Sequence, residues 1–269
     1  MLLGDLSWPD FESRAHDGYA IVPVGAVEPH GPHLPLATDT MISEYFARRL
    51  AADLDGGYVT PSIGYGVATP PFRLGGTFPG VISISGSTFM NLIGDVLVAL
   101  ARDGVRRFVI VNSAIDNVSF LCEAARLLTA GVPHARVMIV NWWDVVGEQF
   151  RDDLADETGV ARDNDHHAAL VESSLVMHIA PDSVQPDQLS SASPSERAPR
   201  RMRYHVFPLP ADATTDSGIV YIADKASAGI GERVAEQVAT QMRAAVRREF
   251  ADHDQSHQAP LADRQGAIP

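Results

Sequence analysis

Between Pro23 and Asp39 the sequence PVGAVEPHGPHLPLATD places Glu28, His30, His33 and Asp39 within twelve positions. Glu28 and His30 are two residues apart, so they face the same side of an extended strand end. A loop that returned Asp39 to them would complete a carboxylate–imidazole–carboxylate set, whose donors suit Zn²⁺ or Mn²⁺. The alternative is a polar loop at a strand end in which the histidines are only hydrogen-bonded.

A second candidate cluster, DNDHH at Asp163–His167, precedes an apolar helical stretch. Histidine suits proton transfer because its pKa lies near neutral pH. From the residues alone, a chance pair on the surface explains two histidines at a helix start better than a functional pair does. Trp142 and Trp143 follow a predicted strand, and for Trp142 we expect packing in the core.

The elements that must position these residues alternate along the chain. The apolar run Tyr19–Val27 predicts a buried strand that ends in the first cluster. The alternation indicates a three-layer α/β/α fold with a mostly parallel central sheet, in which chemistry commonly lies at the strand ends. The other predicted strands are Tyr58–Ile63, Val81–Ser85, Phe108–Val111 and Val137–Asn141, and the predicted helices are Thr40–Leu54, Thr88–Asp103, Val118–Thr129, Ala168–Ile179 and Gly229–Phe250.

The segment Pro181–Ser217 is rich in Ser, Pro, Asp and Arg, which predicts a long excursion that serves as a lid or an assembly arm. The pattern shows no internal repeat and no linker between domains. We therefore expect residues 1–250 to form a single α/β domain and residues 251–269 to be a disordered tail.

Composition limits the possible functions. The chain has 269 residues of which 45% are apolar, enough for a sizeable core. Its 21 Lys and Arg against 34 Asp and Glu disfavour binding to nucleic acid or to an anionic membrane. The single cysteine, Cys122, excludes a disulfide framework, and we predict that it is buried. No apolar run reaches the roughly 18 residues of a transmembrane helix, and no signal peptide is recognisable, so we expect a cytoplasmic protein.

Residues 23–39 resemble the creatininase family signature P-x-G-x-x-E-x-H-G-x-H-L-P-x-x-x-D. The resemblance continues in YGVATPPFRLGGTFPGVISI, in VNWWDVV and in HHAALVESSLV, which is similar to the family's H-x-G-x-x-E-T-S helix. It covers nearly the whole chain, from about residue 5 to residue 250. The resemblance implies the creatininase fold and a metal-dependent amidohydrolase.

In that family two divalent metals share one aspartate, which corresponds to Asp39. The resemblance places Glu28 on the first metal and His30 on the second. The remaining ligands come from a loop that usually reads N-G-H-x-[EG]-N and here reads NSAIDN. Ala114 stands at the histidine ligand and cannot coordinate a metal, and Asp116 stands at the glutamate.

The altered loop leaves three alternatives for the metal site. We expect one Zn²⁺ or Mn²⁺ per subunit, held by His30, Asp39 and Asp116 with room for water. The other two alternatives are a dinuclear site with a substitute ligand, for which His33 is the first residue to inspect, and a site without a functional metal.

The resemblance also implies roles for the second cluster. His167 stands five residues before Glu172, the family's spacing for the histidine that protonates the leaving nitrogen. Glu28 is then available as general base on the attacking water. The residues predicted to line the substrate pocket are Trp143, His166, His33 and Asp163, although His166 replaces a carboxylate of creatininase and Asp163 lies near the position of a pocket tryptophan.

These observations predict a hydrolase that cleaves a C–N bond of a small, cyclic amide or a formamide through a metal-activated water. The alternative is a reused creatininase fold with an impaired metal site, which catalyses a non-hydrolytic reaction on a small molecule or has a non-catalytic role. Family members form cyclic homo-oligomers, commonly hexamers, so the resemblance implies a homo-oligomer here.

Overall fold

The computed structural model describes residues 1–67, 78–189, 206, 218–219 and 222–256, with side chains in the last range through residue 251. Its centre is a parallel four-stranded sheet with strand order β2-β1-β3-β4. The ends of three strands are level, because Val24 pairs with Asn112 and Asn112 with Asn141. The strands are β1 (Tyr19–Val24), β2 (Tyr58–Val59), β3 (Arg107–Asn112) and β4 (Arg136–Asn141).

Alternate strand residues point to opposite faces of the sheet, as the pleat requires. The helices are α1 (Trp8–Ala15), α2 (Thr38–Asp53), α3 (Gly86–Arg102), α4 (Val118–Gly131), α5 (Glu148–Thr158), α6 (Leu170–Ile179) and α7 (Ala228–Ser256). Ile21 and Val109 pack with α2, α6 and α7 on one face, whereas Ala20 and Phe108 pack with α3 and α4 on the other. Helices thus cover both faces, which confirms the predicted three-layer α/β/α architecture.

The first turn of α2 fixes one of the candidate site residues. The helix begins at Thr38, so Asp39 lies in its first turn instead of in the loop that precedes the predicted helix Thr40–Leu54. The side chain of Thr38 donates to the carbonyl of Pro35 at 2.7 Å, which ties the helix start to the loop after β1. Because a helix is stiffer than a loop, Asp39 is held in a defined direction.

Two predicted strands were too long, and a third does not form. The strand predicted at Tyr19–Val27 ends at Val24, because the chain then passes so close to α2 that a Cβ on Gly25 would meet the Thr40 nitrogen at 2.4 Å. The region predicted as strand Val81–Ser85 forms only an isolated bridge, Ile82 with Val27. Beyond β2, the predicted strand Tyr58–Ile63 contributes one further bridge, from Ile63 to Val24.

The prediction for the single cysteine was wrong. Cys122 is exposed, because the buried face of α4 carries Leu121, Ala124 and Leu128, and position 122 lies off that face. At the end of the predicted domain, α7 continues past residue 250 through Ser256.

The other predicted irregular regions are described only in part. The rest of the predicted tail and most of the excursion Pro181–Ser217 lie outside the described residues. In the described part of that excursion the chain makes two short 3₁₀ turns, Pro181–Ser183 and Pro186–Gln188. None of the helices in the described ranges is both long and apolar enough to cross a membrane.

Candidate active site

The loop after β1 places His30 at the centre of the site. Its Nδ1 lies 3.2 Å from the backbone carbonyl of Glu28, and because a carbonyl only accepts, Nδ1 carries the proton in the neutral ring. Its Nε2 lies 3.3 Å from Oδ1 of Asp39 and 3.6 Å from Oε2 of Glu172. His30 and Asp39 are 0% and 1% exposed. An imidazole nitrogen and two carboxylates therefore converge in a buried site.

The same atoms are left without ordinary partners. Nε2 of His30 and Oδ2 of Asp39 are buried and have no hydrogen-bond partner in the described part of the chain. Proteins seldom bury such atoms unsatisfied. Burial by itself lowers the pKa of His30, but Glu172 and Asp39 outweigh it and raise the pKa well above its ordinary value. The surroundings therefore favour a positive charge at this point, as a proton on Nε2 or as a metal ion.

A second group of ligand atoms shares His30 and adds His167. Nε2 of His167 donates to the carbonyl of Pro29 at 2.7 Å, so Nδ1 is the unprotonated nitrogen of the neutral ring. Nδ1 lies 3.9 Å from Glu28 Oε1 and 3.9 Å from Glu172 Oε2. Burial and the neighbouring His30 lower the pKa of His167, which keeps the ring neutral. His167 thus faces two carboxylates with a free lone pair.

The carboxyl groups of the site differ in their acidity. Burial and repulsion by Asp39 raise the pKa of Glu28 to about 8. Burial would raise that of Glu172 as well, but His30, His167 and a hydrogen bond from the Ala168 N–H bring its pKa to about 2. Glu172 is therefore the permanently ionised carboxylate of the cluster, whereas Glu28 holds a proton at neutral pH unless a cation lies nearby.

The ligand atoms that approach within 4.8 Å of one another form two described groups, Glu28–His30–His167 and His30–Asp39–Glu172. Neither group contains Asp116, which lies in the 3₁₀ turn after β3 and acts on Glu28 as a like charge. Among the described residues, Glu172 thus supplies the third ligand atom grouped with those of His30 and Asp39, and metal binding by Asp116 stays a prediction. Ala114 is fully buried and contributes no ligand atom.

His33 does not belong to either group. It is fully buried, and its Nε2 lies 2.7 Å from the hydroxyl oxygen of Ser173. Burial and the nearby His30 lower its pKa to about 4, so it is a neutral hydrogen-bonding residue at neutral pH. In the described residues the side chain therefore serves the packing behind the site rather than the ligand set.

A cavity of about 80 Å³ lies beside Glu172. Two of the predicted pocket residues, Trp143 and His166, line it, whereas the exposed Asp163 is not among its lining residues. Trp142 packs in the core with 5% exposure, as we expected. The cavity is also lined by Phe150, Arg151 and Asp165, the last with a pKa raised to about 7, mainly by burial.

Glu172 is the site residue that the sequence interpretation used only as a spacing marker. A usable signal was present, because the acid interrupts the apolar run LVESSLV, and Glu is almost never buried without a partner. It is 6% exposed on α6. A lone acid on a buried helix face therefore predicts a partner, although the sequence does not say which one.

The fold and the site together define an α/β protein with a candidate metal centre at the carboxyl edge of a parallel sheet. The family model described as "Creatininase: Creatinine amidohydrolase" matches residues 4–246. The chain belongs to the creatininase family, whose members are amidohydrolases, and it is an enzyme of that family.

Relatives with assigned activities are similar over most of their length. Creatinine amidohydrolase from Pseudomonas putida is 30% identical over 258 residues, covering 93% of this chain and 97% of the relative. The mycofactocin precursor peptide peptidase of Mycolicibacterium smegmatis is 32% identical over 225 residues, covering 80% of this chain and 78% of the relative. The family thus includes enzymes named for quite different substrates.

A solved structure of creatininase matches with a TM-score of 0.84 and 28% identity, covering 93% of this chain and 97% of the other. Structures of creatininase named for Mn and for a Zn-Zn type match with TM-scores of 0.83. The likeness supports the fold directly, and those creatininase structures are named for the same two metals that the donor set here would suit.

Proposed function

We propose that this protein hydrolyses a C–N bond of a small cyclic amide or formamide at a divalent metal centre. The observation that carries the proposal is the pair of buried, unpartnered atoms, His30 Nε2 and Asp39 Oδ2. Imidazole nitrogen and carboxylate oxygen are donors for Zn²⁺ and Mn²⁺. The bond from Nδ1 of His30 to the Glu28 carbonyl also favours the tautomer that a metal ligand needs. The residues present therefore fit a divalent ion.

His30, Asp39 and Glu172 would hold one ion, and three protein ligands leave a position for water. When bound, a divalent ion lowers the pKa of that water and polarises an amide carbonyl. We propose one ion per chain because Ala114 supplies no donor at the place where the resemblance implies a histidine.

His167 would move the proton. Its lowered pKa leaves Nδ1 unprotonated at neutral pH, and Nδ1 faces Glu28 and Glu172 at 3.9 Å. A neutral imidazole in this position accepts a proton from the attacking water and returns it to the leaving nitrogen. The bond from Nε2 to Pro29 keeps the other side of the ring fixed during both transfers.

Glu28 would assist as a second proton acceptor. In the chain alone burial holds its pKa near 8, but a nearby cation favours the ionised form. Its carboxylate can then take the proton of the attacking water and pass it to Nδ1 of His167, 3.9 Å away, which delivers it to the leaving nitrogen. The substrate would lie beside Glu172, in the cavity lined by Trp143 and His166.

The second candidate is the reused fold, in which the chain catalyses a non-hydrolytic reaction on a small molecule or none. Ala114 favours it, because the residue is fully buried and has no ligand atom. The buried cluster around His30 favours catalysis over a loss of function. Burying these charged and polar side chains lowers the stability of the folded state, and a chain without catalysis would gain nothing from them.

Metal content separates these candidates. The full chain is loaded with Zn²⁺ or Mn²⁺, desalted, and measured by elemental mass spectrometry beside Asp39→Asn and the exposed control Asp153→Asn. We expect one ion per chain, lost in Asp39→Asn and kept in Asp153→Asn. A chain that binds none, or an Asp39→Asn variant with full metal content, would contradict the proposal.

Hydrolysis is then assayed with creatinine, a cyclic ureide, N-formyl amino acids and short peptides by mass spectrometry of the products, since a cyclic amide gains one water on ring opening whereas an acyclic amide separates into an acid and an amine. His167→Gln should abolish turnover of whichever amide is cleaved and keep the metal, with the exposed His134→Gln as control. Turnover that survives in His167→Gln would remove the proton-transfer role.

A further inference from the structure

The peptide that follows His167 has a strained backbone. Ala168 has φ of +51°, and it is the one non-glycine residue with a positive φ in the described ranges. An L residue in the left-handed region brings its Cβ close to the backbone, so neighbouring groups must hold it there. Ala168 is also fully buried. The strain lies directly beside the histidine that faces the carboxylates.

Both polar groups of Ala168 are bound by side chains of the first turn of α6. Its N–H donates to Glu172 Oε2 at 2.6 Å, and its carbonyl accepts from the hydroxyl of Ser173 at 3.0 Å. Because the hydroxyl of Ser173 already donates its proton to the Ala168 carbonyl, it acts as the acceptor for Nε2–H of His33, at 2.7 Å. A chain of hydrogen bonds thus runs from His33 through Ser173 to Ala168.

All three members of this chain are 0% exposed, so water does not replace a lost bond. The neutral state of His33 also suits its place, because its pKa of about 4 leaves one N–H donor for Ser173. The chain links the loop after β1 to α6, and these two elements supply His30 and Glu172 to the ligand groups of the site. These hydrogen bonds can therefore fix the position of α6 relative to the loop after β1.

We propose that Ser173, oriented by His33, is a positioning residue for His167. Its hydroxyl holds Ala168 in the left-handed conformation, which directs the His167 ring so that Nε2 meets the Pro29 carbonyl and Nδ1 faces the carboxylates. The role of His167 in catalysis rests on the proposed function, but its orientation does not.

If Ser173 acts by holding the backbone of Ala168, a second substitution at Ala168 should restore what Ser173→Ala loses. If Ser173 only fills space, it should not. In Ser173→Ala the Ala168 carbonyl loses its donor, and the strained peptide relaxes. Glycine adopts positive φ without the Cβ penalty. Replacing Ala168 by glycine in the Ser173→Ala background should therefore restore the direction of His167, although the hydroxyl is still absent.

The test is nitrogen NMR of the Zn²⁺-loaded full chain labelled with ¹⁵N-histidine, with His167→Gln to assign the ring. We expect a single Nε2–H tautomer of His167 in the parent and in Ser173→Thr, which keeps the hydroxyl. Ser173→Ala should show exchange between tautomers, and Ser173→Ala/Ala168→Gly should return to the parent pattern.

Turnover, measured on the amide cleaved best, should fall about ten- to hundredfold in Ser173→Ala through kcat with KM nearly unchanged, the range usual for outer-shell partners. An unchanged His167 spectrum in folded Ser173→Ala overturns the proposal. If that variant does not fold, a double variant that folds but lacks the parent tautomer overturns it as well. A chain that shows the tautomer changes but cleaves no amide keeps the positioning role and rejects the proposed function.

Discussion

The ends of β1 and β3 lie side by side at the same edge of the sheet, yet they carry different chemistry. After β1 the chain presents His30, which is buried, faces acids and has an unpartnered Nε2. After β3 it presents Asn117, whose amide accepts from the Val67 N–H at 2.9 Å and donates to the Gly25 carbonyl at 3.0 Å. At the β1 end a ligand atom without a hydrogen-bond partner lies against acids, whereas at the β3 end the amide of Asn117 has satisfied, neutral bonds.

A second amide at the β3 end, that of Asn112, is also fully hydrogen-bonded. The side chain of Asn112 donates to the Ala114 carbonyl at 2.9 Å and to Asn141 at 2.8 Å, and it accepts from the Ala114 N–H at 3.3 Å. These bonds fix the loop that, by resemblance, carries a metal ligand in the family. The comparison teaches that the β1 end contributes ligand atoms to both described groups, whereas the amides of Asn112 and Asn117 at the β3 end hold loops in place.

The largest expected effect separates Glu172 from Asp116. Glu172→Gln removes an ionised ligand from the group with His30 and Asp39, so Zn²⁺ affinity should fall by more than the roughly 10–100-fold lost with an outer-shell partner. Asp116→Asn should change it little. Competition with a chromogenic chelator measures both, and a loss in Asp116→Asn equal to that in Glu172→Gln would show that the β3 end also binds the metal.

A smaller effect is expected from Asn117→Ala, which strands the buried Val67 N–H and Gly25 carbonyl. Because each unsatisfied group costs about 1–3 kcal/mol, the free energy of unfolding should fall by about 3 kcal/mol. Urea unfolding followed by circular dichroism measures it, with the exposed Gln149→Ala as control. Metal content should stay at the parent value. A folded Asn117→Ala variant that has lost its metal would show that the β3 end also supports metal binding.

The smallest effect concerns pH and His33. The folded state keeps this ring neutral down to about pH 4, whereas the unfolded chain protonates it below about pH 6.5. The unfolded state thus binds more protons between these values, and the free energy of unfolding falls as the pH drops, by at most about 1.4 kcal/mol per pH unit. His33→Gln, which keeps a donor, should flatten this slope in thermal unfolding of metal-free protein. If stability falls with pH equally steeply in the parent and in His33→Gln, the lowered pKa of His33 is not the cause of the slope.

The sequence predicted the parts of the fold that depend on local pattern. The apolar run that became β1 and the periodic helices were found because burial of one face leaves a period in the residues. Boundaries were less accurate where another element intervened, as at Gly25, whose strand ends because α2 passes within contact. Cys122 was misplaced because an apolar helix does not reveal which face is outward.

For the site, the sequence alone determined the residue types and the cluster after β1, since His30, Glu28 and Asp39 lie within one short segment. Only the tertiary structure brought Glu172, 142 positions after His30, into the group with His30 and Asp39 to which the resemblance had assigned Asp116. The physical reason is that ligand distances depend on how α6 packs against the loop after β1, and side chains distant in sequence leave no periodic signal of that packing.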